Sequence, residues 1–413
     1  MLSKYFITRV VNVALRVMAL VSKFVLVIVL AKLFSPSDVG LYGLITAMLV
    51  FSLLVIGCDF YAYSLRELLS RSQNEWSFVL QHHLLALLIL YVFLLPAQWF
   101  IFAFDFLPIK MAGYFFLLLI LEHFSQEINR LLVAMKKPLT ASMVLFFRMG
   151  AWVWVVLAFM WVDQDIRSLE FVFLGWAIGC VFAIMIGLAS IWRAVEKWRF
   201  WPIDKSWIKK GFKVGLLFLM GSLSMRAILT FDRFAVESLV GGEFLGVYVV
   251  YIGMAMAIVN VMDPAVFSFL YPRLVEAYSK GNYSEYDKIM REMLYVTLSL
   301  SVILGLCVYF LAPFVFDWIG KPVYSEHQSI LLLLICASIA YVIGMIPHFG
   351  LYAKGKDKKI LFAHLSSAAL FLLLIFILSG VMHEAVVPSA LLLSFIWMGL
   401  VKFYMYKNIL IRL

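Results

Sequence analysis

The chain has 413 residues, of which 65% are hydrophobic and only 14% are charged. This composition excludes a soluble protein of such length, because too little polar surface would remain to cover its core. Lysine and arginine number 34 against 24 acidic residues, so the formal net charge is +10. We therefore expect an all-α polytopic membrane protein with an excess of basic residues.

Twelve apolar stretches are long enough to cross a bilayer as helices, since about 20 residues at 1.5 Å each span its hydrocarbon core. They cover about residues 10–33, 39–58, 78–103, 112–135, 140–162, 169–192, 211–232, 243–270, 291–316, 328–352, 359–381 and 386–406. We expect the first stretch to be a membrane helix rather than a cleavable leader, because it is too long and is interrupted by Arg16 and Lys23. The four cysteines have unrelated spacings and predict neither a disulfide framework nor a metal site.

Basic residues are concentrated in alternate loops. If the N-terminus is cytoplasmic, the loops on the other side carry little positive charge beyond Lys110, Arg167 and Lys321. The last cytoplasmic segment then contains the basic residues Lys402, Lys407 and Arg412. This bias predicts that both termini are cytoplasmic. The net charge then reflects topology and attraction to anionic membrane lipids, and no nucleic acid partner is expected.

The longest basic loop, RAVEKWRFWPIDKSWIKK at 193–210, divides the chain into halves. We predict an N-terminal six-helix lobe at 1–192, a cytoplasmic linker at 193–210 and a C-terminal six-helix lobe at 211–413. Because tryptophans accompany the basic residues of this loop, we expect it to lie on the membrane surface.

A short internal repeat supports the division into halves. KLFSPSDVGLYGL at 32–44 aligns with SLVGGEFLGVYVV at 238–250 at an offset of 206 residues, about half the chain. The identities include Gly40 with Gly246, which we expect to permit close passage of neighbouring helices. Six helices per half return the chain to the same side of the membrane, so the halves would be parallel repeats. Such repeats typically place a substrate site between them.

The loops offer no room for a catalytic domain. GLYAKGKD at 350–357 resembles part of a phosphate-binding loop, but Asp357 replaces the required Ser or Thr and the stretch follows a membrane helix. A membrane glycosyltransferase or polymerase would need larger loops for its acid and base groups. We therefore expect a transporter rather than an enzyme.

Ionisable residues recur inside the predicted spans, although each costs about 2.5–3.5 kcal/mol at the bilayer centre. Arg16 and Lys23 are seven residues apart and share one helical face with Asn12. The remaining intramembrane charges are Arg130, Arg148, Arg226, Glu122, Glu127 and Asp263.

Some of these charges could form ion pairs that fix helix packing, such as Glu127 with Arg148 or Glu122 with Lys23. Five cations facing three acids would still leave two cations without partners. A dry interior would not tolerate this surplus, so we predict a wet, positive cavity that binds an anion. The three acids, Asp263, Glu122 and Glu127, are candidate carriers of a coupling ion.

Two stretches carry a resemblance to a known family. LAKLFSPSDVGLYGLI at 30–45 resembles the end of the first helix in the polysaccharide-exporting branch of the MOP (multidrug/oligosaccharidyl-lipid/polysaccharide) flippase superfamily. RAILTFDRFAVESLVGGEFLGVYVVY at 226–251 resembles the seventh helix of that family, with Asp232 at the position of a recurrent aspartate. The number of helices and the length agree over the whole chain.

The resemblance implies a Wzx-type flippase for O-antigen or related polysaccharide assembly in the bacterial inner membrane. Such a protein moves undecaprenyl-pyrophosphate-linked oligosaccharide from the cytoplasmic to the periplasmic leaflet. It implies two six-helix lobes around a central cavity and coupling to a gradient of H⁺ or Na⁺, with no other cofactor. The polysaccharide polymerase and the chain-length regulator would be its protein partners.

The resemblance also implies roles for particular residues. The cationic lining of the family's cavity transfers to Arg16, Lys23, Arg148 and Arg226, with Arg130 closer to the cytoplasmic end. Guanidinium groups bind phosphate oxygens well, which suits a pyrophosphate. A multidrug or ion antiporter of the same fold is the alternative, and the surplus of cations argues against it.

Overall fold

The computed structural model describes residues 2–410, and the side chains of residues 10–408. Arg412, which was counted among the cytoplasmic charges, lies outside the described residues. All of the regular secondary structure within residues 2–410 is helical. The prediction of an all-α fold is confirmed.

Sixteen α-helices follow one another in the described part of the chain. Those before the central linker are α1 (Leu2–Leu33), α2 (Pro36–Gly57), α3 (Tyr61–Ser70), α4 (Trp76–Ala97), α5 (Phe100–Ala103), α6 (Ala112–Ala134), α7 (Pro138–Phe146), α8 (Trp152–Val162) and α9 (Leu169–Ala194). Those after it are α10 (Lys205–Leu239), α11 (Gly242–Met262), α12 (Ser268–Ser279), α13 (Tyr283–Ile319), α14 (Gln328–Ala353), α15 (Asp357–Leu378) and α16 (Val386–Leu410).

Two π-helical turns interrupt longer helical rods. Phe147–Ala151 joins α7 to α8, and Asp263–Phe267 joins α11 to α12. Pro264 explains the second turn, because proline cannot donate a hydrogen bond within a helix. Each turn contains one of the predicted intramembrane charges, Arg148 or Asp263, and such turns are frequent at functional sites.

Eleven helices or helical rods among the described residues are long and apolar enough to cross a membrane. The remaining predicted span, 112–135, is present as α6, a helix of 23 residues. Its second half is more polar than the other spans because it carries Glu122, His123, Gln126, Glu127, Asn129 and Arg130. The chain is a multi-pass membrane protein.

The helices form two compact units. The first comprises Met1–Leu26 and Leu44–Leu223, and the second comprises Val27–Gly43 and Ser224–Leu413. These limits differ from the predicted lobes in two places. The boundary between the units, at Leu223 and Ser224, falls within α10 rather than in the predicted linker. α10 is one continuous helix of 35 residues and contributes to both units. The turn between α1 and α2 also belongs to the second unit, although it precedes the linker.

In the first unit, α6 packs against α3, α7 and α9, with Phe115, Leu118 and Leu119 fully buried. The linker after α9 is not helical, and it is attached to α4. The Gln81 side chain donates to Trp201 O at 2.8 Å and accepts from Trp201 N at 2.9 Å. The Gln81 side chain therefore satisfies the backbone N–H and C=O groups of Trp201, which have no partners within a helix.

In the second unit, α14 packs against α11, α13 and α16, and α15 packs against α16. The crossing of α14 and α16 is close because two glycines meet there. A Cβ atom added to Gly344 would lie 3.3 Å from the Cα atom of Gly399. Small residues allow this approach of membrane helices.

The glycines of the internal repeat face each other within the second unit. A Cβ atom on Gly40 would lie 2.8 Å from Gly242 O and 3.2 Å from Gly246 N. A Cβ atom on Gly246 would lie 2.6 Å from the carbonyl carbon of Pro36 and closer still to its oxygen. The two repeated turns therefore pack backbone against backbone, which only glycine permits.

Two lysines hold the same turn by a reciprocal arrangement. Lys321, after α13, donates to Ala31 O at 2.7 Å and to Phe34 O at the end of α1. Lys32, at the end of α1, donates to Trp318 O near the end of α13, with its ammonium 4.3 Å from the centre of the indole ring. Each lysine thus satisfies carbonyl oxygens at the C-terminus of the other helix, where positive charge is favoured.

Candidate functional site

The predicted cations on α1 lie in the first unit with exposed side chains. Arg16 Nε donates to Ser142 Oγ at 2.9 Å, and Ser142 in turn donates to Asn12. The shared partner places Asn12 and Arg16 on one face of α1. Lys23 is also exposed, two turns further along the same helix.

Arg148 occupies a different environment, because only 6% of it is exposed. Its Nη1 atom lies 2.9 Å from Glu122 Oε1 on α6. The other carboxylate oxygen of Glu122 accepts from Trp176 Nε1 at 3.1 Å and from Cys180 Sγ at 3.2 Å. This ion pair joins α6, α9 and the first π-turn, and it uses the carboxylate fully. Arg148 is therefore placed in the core of the first unit rather than on an open surface.

Arg130 also has an acidic partner. Its Nη1 atom donates to Glu127 Oε1, and its guanidinium lies 3.6 Å from the centre of the Tyr61 ring. The observed pairs, Glu122 with Arg148 and Glu127 with Arg130, differ from the pairings expected from the sequence. Glu127 and Arg130 are three residues apart on α6, so their side chains are neighbours on the helix surface. The pairing of Glu122 with Arg148 depends instead on how two separate helical segments pack, which the sequence does not give.

Two histidines that sequence reasoning missed lie beside Glu127. His83 Nε2 lies 3.1 Å from Glu127 Oε2, and His123 Nε2 lies 3.9 Å from Glu127 Oε1. His83 also contacts Ser64 Oγ at 2.9 Å, and His123 contacts the Tyr91 hydroxyl at 2.7 Å. The only available signal was that both histidines lie within apolar stretches.

A cavity of about 390 Å³ in the first unit opens onto this cluster. Its lining includes His83, Glu127, Ile191 and Trp198, from α4, α6, α9 and the linker. The rest of the lining is largely apolar. A buried carboxylate with basic neighbours at the edge of a cavity can exchange a proton or bind a small cation. No group of residues in the described part of the chain has the geometry of a metal site.

Asp59 is a further acid that the sequence did not single out. It lies between α2 and α3, is 3% exposed, and follows Cys58 in a left-handed conformation, with φ values of 46° and 48°. Burial raises the pKa of Asp59, whereas a hydrogen bond with Ser222 and the charge of Arg130 lower it. Two successive non-glycine residues in this region are strained, and such strain often accompanies function.

In the second unit, Arg226 is partly buried on α10, and Asp263 is exposed on the second π-turn. The Tyr341 hydroxyl is close enough to each to interact electrostatically. The family-like Asp232 is fully buried and accepts from the Tyr248 hydroxyl at 2.8 Å and from Arg233 Nη1 at 3.1 Å. Asp232 therefore fixes the packing of α10 on α11.

Lys402 was counted as a cytoplasmic charge, and that assignment is wrong. Its side chain is 0% exposed and lies within the helices of the second unit. The prediction failed because α16 extends eight residues beyond Lys402, to Leu410, and keeps this position packed. His348 on α14, noted in the sequence beside Pro347, lies close enough to interact with Lys402.

The observed pairs change the charge balance of the predicted site. Glu122 and Glu127 neutralise Arg148 and Arg130. Among residues 10–408, no acidic side chain lies within 4.0 Å of a nitrogen of Arg16 or Arg226. The surplus of positive charge expected from the sequence is therefore concentrated on fewer residues than expected.

No protein-family model and no curated protein matches this sequence. Solved structures do match. An inward-facing multidrug resistance MATE family transporter of the MOP superfamily shares 14% identity, covers 97% of each chain and gives a TM-score of 0.75. The crystal structure of a MATE mutant shares 15% identity, covers 97% of this chain and 94% of that chain, and gives a TM-score of 0.66.

A third similar structure is that of a MOP superfamily transporter from Pyrococcus furiosus. It is described as having a binding pocket of reverse polarity, which suggests a different function. It shares 14% identity, covers 97% of this chain and 93% of that chain, and gives a TM-score of 0.62. The likeness extends over nearly the whole length of each protein. The chain has the fold of the MOP superfamily transporters.

Proposed function

We propose that the chain is a transporter that moves an oligosaccharide linked to undecaprenyl pyrophosphate from the cytoplasmic to the periplasmic leaflet of a bacterial inner membrane. The observation that carries the proposal is the state of Arg16 and Arg226. Both are on membrane helices, and neither has an acidic side chain among the described residues within ion-pair distance. A pyrophosphate would supply the missing negative charge.

The paired arginines take a different part in this proposal. Arg148 and Arg130 stabilise the first unit through Glu122 and Glu127. Substrate binding is then assigned to Arg16, Lys23 and Arg226, since arginine presents parallel N–H groups that match phosphate oxygens. We expect the sugars to contribute little to this charge-based recognition.

Coupling to a gradient of H⁺ or Na⁺ belongs to the same proposal. Glu127 is the best placed of the three candidate acids, because it lies at the edge of a cavity with His83 and His123 beside it. Glu127 is itself paired with Arg130, but unlike Glu122 it lines this cavity, and Asp263 is exposed on a π-turn. Cytoplasmic termini, contact with anionic lipids, and interaction with a polymerase and a chain-length regulator complete the proposal.

Multidrug export is the second candidate, because two of the similar structures carry the name MATE. A drug transporter for cations would use acids such as Asp263 and Glu127. The positions of Arg16 and Arg226, without acidic partners, argue against it, since they would repel a cationic drug. The Pyrococcus furiosus transporter, which has a similar fold, is described as having a binding pocket of reverse polarity, so this fold is not limited to one pocket charge.

The test is restoration of surface polysaccharide in a bacterium that lacks its own flippase. We expect the wild type to restore it, R16E and R226E to abolish it, and R16K and R226K to keep part of it, because a point charge still attracts a diphosphate. Lys213, exposed in the first third of α10, provides the matched control K213E, which should retain export.

Protein levels must be measured for every variant. Full export by well-folded R16E or R226E would refute the assignment of these cations to the substrate. Failure of the wild type with several lipid-linked sugars, together with drug resistance in a strain lacking efflux pumps, would favour the multidrug alternative.

A further inference from the structure

Lys402 lies in the interior of the second unit without a visible partner. The residue is 0% exposed, and its Nζ atom has no hydrogen-bond partner among the described residues. The helix that carries it, α16, packs mainly against α14 and α15. A charged ammonium in such a place would cost several kcal/mol.

The close helix crossing brings other basic groups to this lysine. His348 follows Gly344 by four residues on α14, and Lys402 follows Gly399 by three residues on α16. Each therefore lies one turn beyond the glycine contact, on the same face as that glycine. On the third helix, α15, the ring of His364 stacks on that of His348 with centres 5.7 Å apart and planes 10° apart. Two histidine rings from α14 and α15 therefore stack, and Lys402 on α16 lies close enough to His348 to interact with it electrostatically.

Within residues 10–408, no acidic side chain lies within 4.0 Å of the Lys402 ammonium or of the His348 ring. His348 faces Lys402 from α14, His364 contacts His348 from α15, and the Tyr406 hydroxyl lies one turn further along α16. On α15, Asp357 is seven residues before His364, about 10 Å along the helix, and it forms no ion pair with Lys402 or His348. The acid nearest to Lys402 along the chain is Glu384, in the turn before α16. Glu384 is eighteen residues from Lys402, about 27 Å along a helix, and pairs with His327.

A second buried lysine shows how this protein stabilises a charged amine. Lys354, at the end of α14, has its ammonium 4.6 Å from the centre of the Tyr406 ring and 5.4 Å from that of the Tyr286 ring. The faces of aromatic rings attract cations. Lys402 has no such ring contact in the described structure, so the neutral amine is the form that fits its surroundings.

We propose that Lys402, His348 and His364 form a proton-binding site in the second unit. The site is unprotonated in this conformation and accepts one proton when α14, α15 and α16 separate enough to admit water. Its three basic groups share that proton, because two positive charges so close together, beside a fully buried lysine, would repel each other.

A proton fits this site better than an anion, because it requires no cavity. A cleft of about 510 Å³ beside α13, α14 and α16 is lined by Pro347, Gly399 and Phe403, but by none of the three basic residues. The existence of the site depends only on the second unit. Its use as the place where H⁺ is coupled to transport rests on the proposed function.

The first test measures proton uptake when the full-length chain, purified in detergent, is unfolded by sodium dodecyl sulfate in weakly buffered solution at pH 8. An unfolded lysine is protonated at this pH, whereas unfolded histidine is neutral. We expect the wild type to take up about one proton more per chain than K402M. Methionine keeps the unbranched stem of lysine, so K402M should fold.

The second test follows the midpoint of thermal unfolding between pH 7 and pH 9.5. Because the unfolded wild type binds one more proton than the folded form, its stability should rise with pH across this range. K402M should lose this rise and be at least as stable as the wild type at pH 7. Lys407 is exposed on the same helix, so K407M is the matched control and should behave as the wild type does.

Equal proton uptake by the wild type and K402M, or an unchanged pH dependence in K402M, would overturn the proposal. Failure of both K402M and K402L to fold would overturn it as well, since a neutral amine in an apolar setting should be replaceable. Neither measurement uses a transported substrate. A wild type that restores no polysaccharide would therefore refute the proposed function and leave the proton site standing.

Discussion

Substitution of Gly246 by alanine tests the contact between the two repeated turns. The added Cβ atom would lie 2.6 Å from the carbonyl carbon of Pro36 and 2.9 Å from its Cα atom. Carbon atoms at rest lie about 3.5–4.0 Å apart, so the start of α2 must move by roughly 1 Å. The Pro36 carbonyl oxygen would lie closer still, and all three obstructing atoms belong to the backbone and cannot rotate away. We expect a destabilisation of about 1–3 kcal/mol, typical of overpacking.

The same helix supplies a control. Gly253 also lies on α11, and a Cβ atom there would meet nothing within 4 Å. Alanine at this position should stabilise α11 by up to about 1 kcal/mol through helix propensity alone. In a thermal unfolding assay of detergent-purified protein, we expect the midpoint of G246A to lie roughly 2–10 °C below that of G253A. Equal midpoints would show that the two turns are not in close contact, and the reasoning would fail.

Two further predictions concern buried charges. R148M should lower stability by about 3–5 kcal/mol, because it leaves the Glu122 carboxylate buried without its cation, and adding E122Q should recover much of that loss. A double variant no more stable than R148M would refute the ion pair as the reason. K321M should lower the unfolding midpoint by removing two hydrogen bonds to carbonyl oxygens of α1, about 1.5–3 kcal/mol for each bond to a charged group before desolvation is subtracted. K110M, in an exposed loop, should not, and a matching loss there would contradict the capping role.

Hydrophobic length was enough to predict the membrane helices, because a bilayer imposes one requirement on every span. It was a poorer guide for α6 and α16. The many polar groups of α6 are satisfied by neighbouring helices, and only the fold reveals those neighbours. The sequence analysis counted Lys402 with the charges of the last cytoplasmic segment, since no local pattern distinguishes a lysine that reaches water from one that is packed.

The intramembrane charges could be counted in the sequence, but their pairing could not be predicted from it. The sequence contains the surplus of intramembrane cations, and the structure preserves a surplus at Arg16 and Arg226. Which arginine meets which glutamate depends on the separation of helices far apart in sequence, such as α6 and the first π-turn. The histidines beside Glu127 were missed for the same reason, because His83 comes from α4.

The reciprocal lysine contacts impose an order on biosynthesis. Lys321 is made 290 residues after Ala31, whose carbonyl oxygen it binds. At 5–20 residues per second, roughly 15–60 s pass before that partner leaves the ribosome. The α11 surface against which Gly40 of α2 packs is made before Lys321, so the turn between α1 and α2 can contact α11 while the end of α1 still lacks Lys321. During this interval the carbonyl oxygens of Ala31 and Phe34 lack the lysine that binds them in the finished protein. Insertion factors or lipid headgroups can therefore reach these oxygens before the fold is complete.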